Sequence, residues 1–303
     1  MHRKDVRRAC AALAAAAALT GLAACGSDSD GKGQNPFQKT EQTTGSEAPS
    51  GKSATTMSIA ALQRVEAATE DKESAKVSGS MEMGTQKMTM DGAIDWADGL
   101  LGNLTIEQQG GTAAGVGTDG KMLARYTRGA MYLNMGPTVA NQIGGKSWIK
   151  YDYANLAEMN GASGAVMQDQ LQSQSPTKSV KLLLASPDVK KVGTEQIGGE
   201  ETTHYSGTID VADFTEQASE NVSAEELEQF RKELEQNGVT TETIDVWIND
   251  EDLMVKKVEK ADTAQGKMLF TANYSEYGVD VDVEIPPASE TADFRDLMQQ
   301  QTG

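Results

Sequence analysis

The chain has 303 residues, 45 of them acidic against 27 basic, and a formal net charge of −18. That balance argues against nucleic acid as a partner, because phosphates are met by Lys and Arg, and against docking on anionic lipid head groups. The only cysteines are Cys10 and Cys25, so the chain beyond residue 25 has no disulfide and no cysteine metal site.

Arg3, Lys4, Arg7 and Arg8 make a basic head, and an apolar run dominated by Ala and Leu follows from Ala9 to Leu22. With small residues before Cys25, this is the pattern of a secretory signal peptide over residues 1–24. The run is too short to span a bilayer comfortably, which takes about 20 apolar residues. Leu22-Ala23-Ala24-Cys25 resembles the lipobox of bacterial lipoproteins. That resemblance implies a diacylglyceryl group on the Cys25 sulfur and cleavage before it. Each buried methylene contributes roughly 0.8 kcal/mol, and two acyl chains hold where one is marginal. The expected location is the extracytoplasmic face of the cell membrane, anchored by lipid. An ordinary secreted protein with a chance cysteine at the junction is the alternative.

From Gly26 to Thr55 the chain is Ser, Asp, Gly, Gln, Thr and Lys without periodicity, so residues 25–55 read as a lipidated cysteine and a tether. At about 5–6 Å times the square root of its length, such a tether spans about 30 Å. Residues 56–303 read as one domain. Ile59, Leu62 and Val65 at helical spacing predict a helix over 57–72. Strands follow at 77–83 and 88–94 around a turn at Gly84-Thr85, with Asp98-Gly99 marking the next hairpin. Leu104-Ile106, Met122-Thr127, Ala130-Met135 and Trp148-Tyr151 continue the sheet. Residues 154–175 read as loops and short helices, and 176–186 as a buried helix. Strands return at 189–193 and 202–210. Ser223 and Glu226 form a capping box for a helix over 223–237, which Gly238 ends. The alternation at 243–249, 253–261, 268–277 and 279–285 predicts four more strands, and 292–298 a terminal helix. The fold class is therefore α+β: a single curved antiparallel sheet, an open half-barrel of about 10–11 strands, with helices on its concave side.

Four pieces carry a family resemblance: Ala130-Met131-Tyr132-Leu133 with Trp148-Ile149-Lys150; Gly198 to Gly207; Val246-Trp247-Ile248-Asn249; and Tyr277-Gly278 with Pro286-Pro287. In this order, behind a lipobox, they resemble the LppX/LprG-type actinobacterial lipoproteins of the LolA-like group. The resemblance covers about residues 57–288. It implies a half-barrel closed by helices around an apolar cavity for acyl chains.

His204 is the one histidine left after processing, and no G-x-S-x-G elbow offers it a nucleophile. A structural place in its strand is the simpler reading, and no enzyme activity and no cofactor are expected. Asn249-Asp250-Glu251-Asp252 lacks the spacing of a calcium loop and reads as a hairpin turn. Trp96, Trp148 and Trp247 sit near turns or strand ends and read as packing residues. Met81, Met83, Met88 and Met90 alternate on two neighbouring strands. If both pairs share a face, four thioethers line one patch, which is either a Met-tolerant core or the wall of a site that moulds to apolar ligands. Met122, Met131, Met135 and Met268 are candidates to extend it. The expected function is a membrane-anchored lipoprotein that binds or carries a hydrophobic molecule, a lipid or acyl chain. A non-enzymatic interaction or sensor module with a filled core, meeting a protein partner, is the alternative.

Overall fold

The computed structural model describes residues 51–110, 117–160, 175–213, 221–263 and 266–302. The segments expected to be the signal peptide, the lipidated Cys25 and most of the tether lie outside them. The strands are β1 (Ser74–Met83), β2 (Gln86–Asp95), β3 (Leu101–Gln109), β4 (Lys121–Tyr126), β5 (Ala130–Asn134), β6 (Trp148–Asp152), β7 (Lys190–Ile197), β8 (Glu200–Asp210), β9 (Val239–Ile248), β10 (Met254–Thr263), β11 (Gly266–Ser275) and β12 (Thr291–Asp293). The helices are α1 (Gly51–Lys72), α2 (Gly136–Ala140), α3 (Tyr153–Asn160), α4 (Thr177–Ala185), α5 (Ala224–Gln236) and α6 (Phe294–Thr302).

Local turn chemistry builds two antiparallel meanders. Gly84 takes φ +59° in the two-residue loop between Met83 and Gln86, a conformation that costs glycine little. The meanders β1–β6 and β7–β11 meet where β1 pairs with β11, giving one twelve-stranded sheet in the order β12-β6-β5-β4-β3-β2-β1-β11-β10-β9-β8-β7. Every pair is antiparallel except β12 with β6. The architecture is the expected α+β one, an open sheet with helices on one face.

Because side chains alternate along a strand, one set faces inward. Val77, Ile94, Ala272, Ile244 and Val246 belong to that set and are buried with Leu62 and Val65 of α1, Val180, Leu183 and Leu184 of α4, and Leu227 and Phe230 of α5. Gly207 lets α4 approach β8: a Cβ there would lie 2.7 Å from Ser186 Oγ and 3.0 Å from Leu183 Cδ2. The capping box starts α5 as expected. Ser223 Oγ accepts from the Glu226 amide and the Glu226 carboxylate accepts from the Ser223 amide, a cap that contributes about 1 kcal/mol. The helices expected at 176–186 and 223–237 are α4 and α5.

Two boundaries differ from the sequence reading. α1 begins at Gly51, so it takes in residues assigned to the tether. Their composition shows no apolar stripe, and a helix nucleated further on extends through them cheaply. The segment Val279–Ile285 is not a strand, and β12 at 291–293 completes the sheet instead. The alternation there is real, with Val279, Val281 and Val283 half-buried and Asp280, Asp282 and Glu284 exposed. The chain, however, leaves β11 at the middle of the sheet, where β1 and β10 already take its edges. It crosses the outer face instead. Its carbonyls are taken by side chains: Ser74 Oγ donates to Val279 O at 2.6 Å, Asn103 Nδ2 to Asp282 O at 2.7 Å, and Arg125 Nη1 to Glu284 O. The crossing delivers β12 to the free edge of β6, where α3 and α6 also pack.

Candidate functional site: a cavity with one apolar wall and one charged end

A cavity of about 560 Å³ lies between the inner face of the sheet and helices α4 and α5. That is within the range of about 300–1,000 Å³ in which proteins hold small molecules. Met81, Met83, Met88 and Met90 all line it. The register shows why. Met81 stands directly opposite Met88 across β1 and β2, so the two methionine pairs share the inward face. On the other side Met81 faces Phe270 and Met83 faces Met268 of β11, and Met90 faces Ile106 of β3. These three also line the cavity. The four methionines are half-buried, whereas Val77 and Ile94 further along the same face are buried. Met268 thus extends the wall. Met122 is buried beside Ile106 on the same face, Met131 lies on β5, and Met135 precedes α2.

The other end of the cavity is charged, which the sequence reading missed. Glu242 of β9, Lys257 and Glu259 of β10, Lys178 and Ser179 of α4, and Glu233 of α5 line it. Lys257 Nζ donates to Ser179 Oγ at 2.7 Å and to Glu259 Oε1 at 2.9 Å, and lies 5.1 Å from the centre of the Phe270 ring. Lys178 is paired with Glu233. Glu242 is 5% exposed, and its Oε2 has no hydrogen-bond partner among the described residues. Its neighbours on the same face of β9, Ile244 and Val246, are fully buried. A buried polar group left without a partner costs about 1–3 kcal/mol. The available signal in the sequence was phase: Glu242 alternates with Ile244 and Val246, and so belongs to the inward set.

His204 and Trp247 are on the outer face. Their rings stack at 4.3 Å and 11°, and Lys256 Nζ caps the indole at 4.5 Å. His204 Nε2 meets Asp245 Oδ1 at 2.9 Å, and Lys260 meets Asp245 Oδ2 at 3.0 Å. Ser206 bonds to Asp245 as well, on the carboxylate side and not as a partner of the imidazole. Acyl transfer by a triad needs the hydroxyl on the imidazole. Asn249-Asp250-Glu251-Asp252 is the β9–β10 turn: Asn249 Oδ1 accepts from the Glu251 and Leu253 amides, and Asp252 is held by Arg64 of α1 at 3.0 Å. Trp96 packs edge-on against Tyr277, and Arg125 covers Trp148 at 4.7 Å.

Relatives place the chain. A Streptomyces coelicolor protein named as a lipoprotein, SCO4650, is 38% identical over 311 aligned positions, covering 99% of each chain. The chain belongs to this lipoprotein family. A second member, an uncharacterized 31.2 kDa protein of Streptomyces griseus from the rplA-rplJ intergenic region, is 48% identical over 247 residues, covering 80% of this chain and 81% of its own. Among solved structures, the lipoprotein LppX of Mycobacterium tuberculosis is similar with a TM-score of 0.46 and 15% identity, covering 75% of this chain and 99% of LppX. LprF of Mycobacterium bovis has a TM-score of 0.46 and 19% identity, covering 77% and 98%. No protein-family model matches the chain.

In this lipoprotein the charged end has a pH signature. Burial, reinforced by the nearby Glu259 carboxylate, pushes Glu242 up to about 8 from an ordinary 4.5. The folded state then holds a proton that the unfolded chain releases. Stability is greatest below about pH 4.5 for this group and is lost as pH rises to about 8. The slope reaches about 1.4 kcal/mol per pH unit for one proton. Melting temperature should therefore fall between pH 5 and pH 8, and Glu242→Gln should flatten that fall. Thermal denaturation of both proteins across this range checks it, and equal slopes would mean that Glu242 ionises freely in the fold.

Proposed function

We propose that the protein is a membrane-anchored extracytoplasmic lipoprotein that binds or carries a hydrophobic ligand in the cavity under α4 and α5, without chemistry on it. The observation that carries this reading is the half-buried wall of Met81, Met83, Met88 and Met90 facing about 560 Å³ of space. Thioether side chains are flexible and polarizable, which suits a surface that must mould to an alkyl chain. The membership in a lipoprotein family and the lipobox ending at Cys25 support a place beside the membrane, where acyl chains are the available apolar cargo. A filled-core interaction module would leave no such space in front of the methionines.

Substitutions that enlarge the wall test the reading. Overpacking a filled core costs about 1–3 kcal/mol, whereas a cavity accepts the added volume. Met90→Trp and Met83→Trp should keep urea stability within about 0.5 kcal/mol of wild type, the range of substitutions that disturb no packing. Uptake of a fluorescent fatty-acyl probe should fall at least tenfold, equivalent to about 1.4 kcal/mol of binding. Strong destabilisation, together with no uptake by the wild type, would favour the filled-core module.

A further inference from the structure

We propose that Glu242 is the head-group site of the cavity and that the site selects an amphiphile carrying a protonated amine. The inference rests on the carrier reading above and names the ligand class.

Once Glu242 is ionised, the charges at this end of the cavity do not balance. Three carboxylates, Glu233, Glu242 and Glu259, face two ammonium groups, Lys178 and Lys257. Lys178 is committed to Glu233, and Lys257 to Glu259 and Ser179. Glu242 is the carboxyl left over. It is 5% exposed, lines the cavity, and has an oxygen without a hydrogen-bond partner among the described residues. Buried polar atoms in folded proteins are nearly always partnered, so a buried carboxyl oxygen without one, on a residue that lines a cavity, points to a partner that arrives from outside.

The chemistry of that partner follows from the same groups. To the ionised Glu242 an ammonium would supply a hydrogen-bond donor and balance the charge in one contact. A carboxylate or phosphate head would add a like charge beside Glu242 and Glu259 and offer no donor. A neutral hydroxyl would satisfy the hydrogen bond and leave the charge unpaired. The surroundings favour a cation as well. A second space of about 450 Å³ shares Lys178 and Glu233 with the cavity, and there Glu70, Glu73 and Glu226 outnumber Lys181. With Glu242 ionised, both sides of the Lys178–Glu233 pair carry an excess of carboxylates, which concentrates cations in confined clefts. The tail has its place in the same space, along Phe270 and the methionine wall.

The test uses the processed chain with Cys25→Ser, which removes the acyl anchor and leaves every described residue in place. N-phenyl-1-naphthylamine, a neutral apolar dye, reports the cavity. Dodecylamine, dodecanol and dodecanoate, all below micellar concentration, compete for it. At pH 9, where Glu242 is ionised, dodecylamine should displace the dye at a concentration at least tenfold lower than the other two. Glu242→Gln should bring dodecylamine to the level of dodecanol, with the dodecanol arm of the same variant as its reference. The wild type gives a second readout that needs no variant. Glu242 ionises near pH 8, while an alkylamine with a pKa near 10.4 stays charged, so amine affinity should rise about tenfold between pH 7 and pH 9. The groups facing Glu242 from the packed elements are Lys178 of α4, Glu233 of α5, Lys257 and Glu259 of β10 and Tyr274 of β11. The dodecanol arm, run at each pH, subtracts whatever they contribute to the cavity itself. Dye uptake with no preference for the amine, or a preference that survives Glu242→Gln and does not change with pH, would overturn the head-group site and leave the carrier reading standing. No dye uptake by the wild type would overturn both.

Discussion

Replacing Lys257 by alanine should lower the stability of the folded domain by about 3–5 kcal/mol, the loss seen when one partner of a buried ion pair is removed. Lys257 is 9% exposed and sits within hydrogen-bond distance of Ser179 Oγ and Glu259 Oε1. Burial works against its ammonium, but Glu259, together with Tyr274 and Glu242, outweighs burial and holds the lysine above its ordinary pKa. Burial likewise works against the Glu259 carboxylate, and Lys257 holds it below the ordinary value. Each charge is therefore tolerated because the other is present. Without the ammonium, Glu259 keeps only the Ser179 hydroxyl at 2.5 Å and stands beside a second buried carboxyl, Glu242. The double change Lys257→Met with Glu259→Leu should cost much less than the single one, because it leaves no unpaired charge and fills similar volume. Urea denaturation of the three proteins measures this. A loss below about 1 kcal/mol for Lys257→Ala would place the pair in the class of solvent-screened ion pairs.

Cys25→Ala should move the protein from the membrane fraction to the soluble one, or leave it as an uncleaved precursor. The expected change is nearly complete. Two acyl chains at roughly 0.8 kcal/mol per buried methylene provide the lasting attachment, and the acidic chain gains nothing from anionic head groups. Among the described residues no helix is long and apolar enough to cross a membrane. Fractionation of cells, combined with metabolic labelling by a fatty-acid probe, reads the result. Equal labelling of the Cys25→Ala chain and the wild type would refute lipidation at this residue.

These two effects differ in how far the sequence announces them. The lipobox-like pattern at Leu22–Cys25 is contiguous, so no tertiary structure is needed to see it. The β1–β2 hairpin and the Ser223 cap are legible for a related reason: turn and cap chemistry act over two to four residues. The methionine face was half legible. Period-two alternation assigns each methionine to a side of its own strand, but only the pairing of Met81 with Met88 puts both strands' methionines on one side.

Other features depended on what the strands meet. Val279–Ile285 has the alternation of a strand and is none, because it leaves the sheet where no edge is free and packs its valines across the outer face. Lys256-Lys257-Val258-Glu259-Lys260, within the strand expected at 253–261, is four charged residues around one valine. In the fold Val258 is buried on the outer side, while Lys257 and Glu259 point into the cavity, where α4 and α5 cover them. Local sequence thus determined the hairpins, the caps and the phase of each strand, because those are set by neighbours along the chain. Which face is roofed, where a void remains and which carboxyl lacks a partner were decided only by the packing of α4 and α5 against strands far away in sequence, since burial and charge pairing are properties of the space around a side chain.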